Sequence, residues 1–521
     1  MVIKSKLKLA TNNKLNYWFF LLIVFLILYS GVNLIWLFQD TLPPPFDQSA
    51  HILIALKFNR LLDHPEKLSL TKLLRTTNYW PPFFHFSAAI VTKIFGFSPD
   101  KVVLTNFLFL ILLVIVILKI AQEWFNPDTA LLALFLVLVS PLVYGLLRDS
   151  LIDFCLMTVI VWVQYLVIKS CGGWDLKSGV FLGLAMGLSL LTKWTSPAFF
   201  AFTTLLVFIE TWIRQKRTFK QALVSAAIVI GLALALSLPW YLKNLSDFQA
   251  GAHHALLSDS RLEGDPVKFW PSLVWYLVTL KDVIISKWLL PFFGAGLIFY
   301  FLWVRNWRAL GFCLVWLLPG LFVFVLIPNK DARFILPLFP ALALISAAGL
   351  ISIPWKKIRI GFIFLLILVS GYQFLAISFG QPKRIEHPYA FQAFKEDWPI
   401  EKILDSLAHS FPQKELALAV LANQPYFNPN IFKLFCAIKN YPYEVEEIGG
   451  KPVNFTQLLG YHFVILKTGK IALEHTARYR LEFLEKFWSW VEEGKKYPSF
   501  TLWGKWPLPD GSEALIYKID K

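Results

Sequence analysis

The sequence predicts a polytopic α-helical membrane protein that ends in a small soluble α/β domain. Of its 521 residues, 57% are hydrophobic and only 16% are charged, a balance far more apolar than that of soluble domains. Apolar runs recur along residues 1–380, several of them near the roughly 20-residue length a spanning helix needs. Past Gly380 the composition turns to that of a soluble domain.

The first run, 17–38, follows Lys4, Lys6, Lys8 and Lys14 as the core of a signal peptide would, but it is too long for one and lacks a small-residue cleavage site. It reads as an uncleaved first span. Further runs follow at 101–120, 129–147, 150–168, 179–193, 195–213, 221–242, 284–304, 309–327, 334–353 and 360–378, about eleven spans in all. Short cytoplasmic loops collect Lys and Arg. An inside N-terminus puts Lys119, Lys169 with Lys177, RQKRTFK at 214–220, Arg305 with Arg308, and KKIR at 356–359 on that side. The alternate loops then face out. They hold PPPFDQSAH at 43–51, within a first outside loop of about 39–100, RDSLID at 148–153, TKW at 192–194, the stretch from Lys243 to Asp282, and NKDAR at 329–333. The segment 78–96 has an apolar part of only about 15 residues, broken by His85 and Lys93, and counting it as a span inverts every later loop. It is expected as an interfacial helix with Tyr79 and Trp80 at headgroup level.

An odd number of spans delivers residues 381–521 to the outside as an α/β domain. Strands are expected at 415–422 and 461–469, helices at 430–440 and 473–496, and a hairpin at 500–519 about a Pro-Asp-Gly turn. The formal charge of +16 fits basic residues flanking spans and gives no reason to invoke nucleic acid. Cys155, Cys171, Cys313 and Cys436 have neither CxxC nor metal-ligand spacing. There is no glycine-rich phosphate loop.

An ion-coupled transporter keeps its ionisable residues near the bilayer midplane on broken helices. Here Asp40, Asp47, His51, His85, Arg148, Asp149, Asp153, Lys193, Lys330, Asp331 and Arg333 fall at the outer ends of spans. That placement suits a reaction at the outer interface, on a substrate with a polar head and a lipid tail. Asp47 reads either as an N-cap for SAHILIALKFNRLL or as a general base, and the two are compatible. Lys193 and Arg333 read either as snorkelling anchors or, as cations on the face where few are expected, as ligands of an anion such as phosphate. Arg148, Asp149 and Asp153 read as an Arg–carboxylate pair sealing a helix start. His253 and His254 read as solvated residues.

In order, the chain shows an acid in the first outside loop, Trp-Pro-Pro at 80–82, RDxxxD at 148–153, GLxxGLSLLTKW at 183–194, PWY at 239–241 and KDARFILPLFP at 330–340. This series resembles the bacterial glycosyltransferases of the protein O-mannosyltransferase and lipid A aminoarabinose transferase superfamily, family 39-like with the C-type membrane fold. The resemblance covers about residues 1–380, and 381–521 is similar to the soluble domain that often follows in bacterial members. It implies inverting transfer of a sugar from a polyprenyl-phosphate donor to an acceptor at the outer face of the plasma membrane. It implies Asp47 as the base, Lys193, Arg333 and Lys330 at the donor phosphate, and Asp40, His51, Trp80, His85, Arg148, Asp149 and Asp153 lining the site. Many members have Asp-Glu in the first loop, whereas Gln48 follows Asp47 here, which removes a second carboxylate. Phosphate is already a good leaving group, so one base and two cations suffice. No metal or other cofactor is implied. The implied partners are the lipid-linked donor, membrane lipids and an acceptor that is lipid, protein or glycan. Three rival readings stand beside this one: a flippase of lipid-linked sugars, which should show repeated halves with broken helices, neither of which the sequence displays; an undecaprenyl-diphosphate polymerase or ligase working from 243–283; and a silent sugar-binding subunit, indifferent to loss of Asp47.

Overall fold

A computed structural model describes residues 12–216, 218–412, 414–450, 455–493 and 499–520. Lys4, Lys6, Lys8, Arg217 and residues 494–496 of the expected amphipathic helix lie outside these. Seven helices are long and apolar enough to cross a membrane: Phe20–Gln39, Pro99–Trp124, Pro197–Gln215, Phe219–Lys243, Trp307–Leu326, Ala332–Ile351 and Lys356–Ser378. Two bent pairs add to them, Pro127–Leu138 with Pro141–Leu147 at 71° and Phe269–Ile285 with Leu290–Val304 at 106°. Taking each pair as one span gives nine among the described residues. The expected count of about eleven is reached only with Asp153–Lys169 and Leu176–Leu190, of 17 and 15 residues. The first is cut short because its helix opens at a polar site residue, Asp153, and the second because it ends just before Lys193.

The bends correct two further expectations. Broken helices are present after all: Pro141 lacks the N–H that would continue the first helix, and the Ser140 hydroxyl at that break donates to Ile284 O of the second pair at 2.5 Å. The stretch 243–282, read as a loop, is largely helical, with Leu245–His253, Ser260–Glu263 and Phe269–Thr279; its polar first half hides the period. The segment 78–96 forms the 13-residue helix Phe83–Phe95, packed against Phe46–Asp63 and Pro99–Trp124.

The C-terminal residues form a five-stranded sheet in the order β2-β1-β3-β5-β4. β1 (Leu416–Val420) runs parallel to both β2 (Tyr443–Glu447) and β3 (Phe463–Lys467). β4 (Ser499–Pro507) and β5 (Glu513–Asp520) form the expected hairpin, antiparallel to each other, with β5 antiparallel to β3. One face is covered by helices Ile400–Ser410 and Pro429–Lys439, the other by Arg478–Glu492. Sequence periodicity missed β2, whose YEVEE buries only Val445.

This domain is tied to the loop that follows the first span. Trp36 Nε1 donates to Phe391 O at 2.8 Å, Thr41 N to Phe394 O at 2.8 Å, and Phe394 N to the Asp40 carboxylate at 2.9 Å. Leu434 of Pro429–Lys439 is buried with Ile52 and Ala55 of Phe46–Asp63, and Arg60 donates to Asn440 Oδ1 at 2.6 Å. The linker also lies hard against helix Pro141–Leu147, where a Cβ on Gly145 would meet Tyr389 O at 2.0 Å. Gly145→Ala is therefore expected to push the linker away and to destabilise the folded protein by about 1–3 kcal/mol. An unchanged thermal midpoint in detergent would show that the contact is not tight.

Candidate active site

Three successive prolines, 43–45, hold the chain extended until Pro45 caps the helix Phe46–Asp63 without a side-chain bond. Asp47 consequently sits in the first helical turn and not at the cap, which corrects the capping expectation: the helix begins one residue before it. Phe46 has φ 40°, a left-handed conformation uncommon for a residue with a side chain. Neighbouring elements hold this turn. The Ser150 hydroxyl donates to Gln48 O at 3.2 Å, Asn430 Nδ2 to Phe46 O at 3.4 Å, and the Ser49 hydroxyl to Pro44 O.

The Asp47 side chain lies where two cavities meet, lining both, as Arg333 does. It makes no hydrogen bond or ion pair among the described residues. The surface it exposes is cavity wall. Burial raises its pKa, and the nearby Asp331 and Asp153 add to that against the opposing pull of Arg333 and Lys193.

The smaller cavity, of about 250 Å³, is lined by His51, Trp80, Asp153, Lys193, Phe324, Asp331 and Phe334 besides the shared pair. Asp153 opens helix Asp153–Lys169 and receives Lys193 Nζ at 2.7 Å, with Arg333 Nη1 at 3.8 Å from its other oxygen. Asp331 caps the turn Ala332–Leu338 by accepting from Arg333 N at 2.8 Å. The same carboxylate takes the Arg333 side chain through Nε at 2.8 Å and Nη2 at 2.5 Å, and the Tyr389 hydroxyl at 2.7 Å. Burial works to raise the Asp331 pKa, but the charge and hydrogen bonds of Arg333 and the Tyr389 bond outweigh it and hold it below the usual carboxylate range. Lys193 spends one of an ammonium's three donors on Asp153, and its Nζ lies 4.8 Å from the Phe334 ring centroid. Two donors of Lys193 and the Nη1 group of Arg333 are thus left for an anion.

His51 is buried against Trp80, ring centroids 4.7 Å apart, with its Nδ1 2.8 Å from His85 Nε2. Burial, His85 and the two cations all lower its pKa well below the usual value, so it stays neutral. His85 is fully buried behind it and lines neither cavity, contrary to its expected place. Lys330 is a second correction. Its Nζ turns back onto the carbonyls of Phe324, Val325 and Ile327, the unpaired oxygens that end a helix and attract a cation. It faces neither cavity.

The larger cavity, of about 430 Å³, is lined by Asp40, Pro43–Pro45, Asp100, Arg148, Asp149, Tyr389 and Tyr426. Burial lifts the Asp40 carboxyl to about 6. Asp149 accepts from Leu151 N at 2.8 Å. Arg148 forms no ion pair with Asp149 or Asp153, so the expected Arg–carboxylate seal is absent among the described residues. Its Nε donates to Asn33 Oδ1 at 2.6 Å and its guanidinium lies 4.8–5.0 Å from the ring centroids of Trp36, Tyr144 and Phe374, an aromatic cage that offsets part of the cost of burying charge. Tyr389 and Tyr426 carry no sequence motif; only the way the linker and the domain fold back on the membrane region puts them in this wall.

A family described as dolichyl-phosphate-mannose-protein mannosyltransferase matches residues 80–240. The undecaprenyl phosphate-alpha-4-amino-4-deoxy-L-arabinose arabinosyl transferase of Yersinia pestis is 27% identical over 240 residues, 43% of this chain and 41% of that relative's length. Among solved structures, ArnT from Cupriavidus metallidurans bound to undecaprenyl phosphate has a TM-score of 0.59 at 14% identity, with 95% of this chain and 97% of that one covered. The oligosaccharyltransferase AglB from Archaeoglobus fulgidus, in complex with an inhibitory peptide and a dolichol-phosphate, has a TM-score of 0.52 at 11% identity, covering 94% and 74%. These structures share the polytopic C-type membrane fold with this chain.

Proposed function

We infer that this chain, a member of the superfamily of membrane glycosyltransferases that holds the protein mannosyltransferases and the aminoarabinose transferases, transfers a sugar from a polyprenyl-phosphate carrier to an acceptor at the outer face of a bacterial inner membrane. The observation that carries this reading is an unpartnered carboxylate, Asp47, at the junction of two cavities of which one presents Lys193 and Arg333. The names of the similar proteins, with undecaprenyl phosphate and dolichol-phosphate among their substrates and ligands, support a lipid-phosphate donor.

In this mechanism the donor phosphate takes the free donors of Lys193 and Arg333 in the smaller cavity, and the sugar lies toward Asp47. The acceptor enters from the larger cavity, so it approaches the anomeric carbon from the side opposite the phosphate. Asp47 takes the proton from the acceptor O–H as its oxygen bonds to that carbon. The bond from carbon to phosphate oxygen breaks, and polyprenyl phosphate leaves with the electron pair. The anomeric centre inverts. The cations meet the charge that builds on the phosphate, which is the electrostatic part of the catalysis. His51, held neutral, serves as wall and not as base.

Asp47 works only when deprotonated, so activity is present above its pKa and lost as pH falls through it. Because that pKa is raised in the free protein, the acid limb of kcat/KM is expected above the ordinary aspartate range of about 3.9. A bound donor phosphate cancels the pull of Lys193 and Arg333, which raises the pKa further. The acid limb of kcat, which reports the substrate-bound state, should therefore lie at higher pH than that of kcat/KM. The reverse order would mean that the phosphate does not sit beside these cations.

The reading as a whole is tested by offering membranes carrying the chain a panel of radiolabelled polyprenyl-phosphate sugars. Transfer to endogenous acceptor supports it. Movement of intact donor across the bilayer without transfer would instead favour the flippase reading.

A further inference from the structure

The far end of the helix that carries Asp47 holds a second group of charges, about 20 Å along the axis from it. Lys57, Arg60 and His64 line a groove of about 470 Å³ together with Lys72, Arg75 and Thr76 of the following short helix, Leu70–Arg75, and its end. None of the lining residues is acidic. Of the acids nearby in sequence, Asp63 is engaged outside the groove by Lys93, and Glu66 pairs at 3.2 Å with His64 at the groove's edge, leaving the other cations of the lining without a carboxylate partner among the described residues. Arg60 is held by Asn440, but Lys57, Lys72 and Arg75 are exposed and form no ion pair among the described residues. Like charges gathered without a counter-charge repel one another until an anion neutralises them.

The height of the groove is fixed by the end of a span. Asn244 Nδ2, one residue past Phe219–Lys243, donates to Leu74 O at 2.9 Å, and Trp240 Nε1 donates to the Thr77 hydroxyl at 2.8 Å. The groove therefore lies where that span leaves the bilayer, at the level of lipid headgroups. Beside it Leu68 and Leu70 are 41% and 68% exposed. Cations next to outward-facing leucines are the pattern by which a protein surface takes the phosphate and the upper acyl chain of a lipid at once.

We propose that the groove lined by Lys57, Lys72 and Arg75 binds the phosphate of an anionic membrane lipid, with Leu68 and Leu70 against its acyl chains. The site is separate from the two cavities at Asp47. The test uses the full chain in neutral detergent, with bound lipid read by native mass spectrometry in the presence of equal phosphatidylglycerol and phosphatidylcholine. Phosphatidylglycerol is expected to be retained preferentially, and a K57Q/K72Q/R75Q variant to lose about 100-fold in that affinity, from three cations each acting near the surface. All three side chains are exposed, so the variant keeps its fold, checked by an unchanged thermal midpoint. Leu68→Ser with Leu70→Ser should weaken the lipid but not the binding of inorganic phosphate. Equal retention by parent and triple variant overturns the proposal. So does displacement of the lipid by inorganic phosphate at comparable concentration, which would make the groove a free-phosphate site.

Discussion

Asp47→Asn is expected to lower sugar transfer by about 10²–10⁴-fold, the range by which a positioned general base accelerates a reaction. Asparagine has nearly the shape of aspartate and occupies the same helical turn, but it cannot accept the acceptor's proton. Among the described residues the side chain has no hydrogen bond or ion pair to lose, so folding and donor binding should be unaffected. Replacing the carboxylate removes the cost of burying it and the repulsion from Asp331 and Asp153, which together outweigh the lost attraction to Arg333 and Lys193, so the thermal midpoint should hold or rise. The decisive comparison is transfer against donor binding at equal expression. Loss of transfer with binding intact identifies Asp47 as the base. Transfer at the parent rate would leave the first helical turn a structural element and end the proposed mechanism.

Lys193→Met should act on the other half of the reaction. Methionine keeps an unbranched apolar side chain and removes the ammonium, together with its place 4.8 Å from the Phe334 ring centroid. Hydrogen bonds to charged groups are worth about 1.5–3 kcal/mol, which corresponds to roughly a 10- to 100-fold rise in the donor's KM. Asp153 keeps Arg333 at 3.8 Å, so some stability is retained, although breaking a buried pair destabilises as well. A donor KM that stays constant while kcat collapses would show that Lys193 contacts the donor only in the transition state, or positions Asp153 and does not touch the phosphate at all. Lys193→Arg separates these, since a charge of different shape restores phosphate contact better than it restores the 2.7 Å bond to Asp153.

Much of this architecture is legible from composition and charge alone, because lipid forces backbone polar groups into helices and leaves ionisable residues at their ends. Residues 200 or more apart in sequence, Asp47 and Arg333 among them, could be grouped by sidedness before any coordinates were considered. Finer placement was not legible. Lys193 and Lys330 both follow an apolar run, yet one faces a cavity and the other caps its own helix, a difference set by a turn of three residues after Ile327. Asp47 and Pro45 compete for the same cap position, and the proline run decides it. Arg148 has acids beside it in sequence, but the aromatic rings that receive it come from Trp36, Tyr144 and Phe374, and only packing brings those together. The two breaks in the spans follow from a proline at 141 and from a turn after Ile285, neither of which stands out in a hydrophobic run.

The ties between the first outside turn and the end of the chain have a consequence in time. The loop that presents Asp47 is finished by Asn430, which reaches Phe46 O across 384 residues, and by the linker, whose Phe394 O accepts from Thr41 across 353. A ribosome makes the carboxylate early and these two supports last. The bonds from Ser150 to Gln48 O and from Ser49 to Pro44 O can form as soon as the first helices are made, whereas the other two wait for the linker and the folded terminal domain. A truncation that spares every span but clips the last domain is therefore expected to leave a full membrane bundle in which the turn carrying Asp47 lacks the ties from Asn430 and, where the linker goes too, from Phe394.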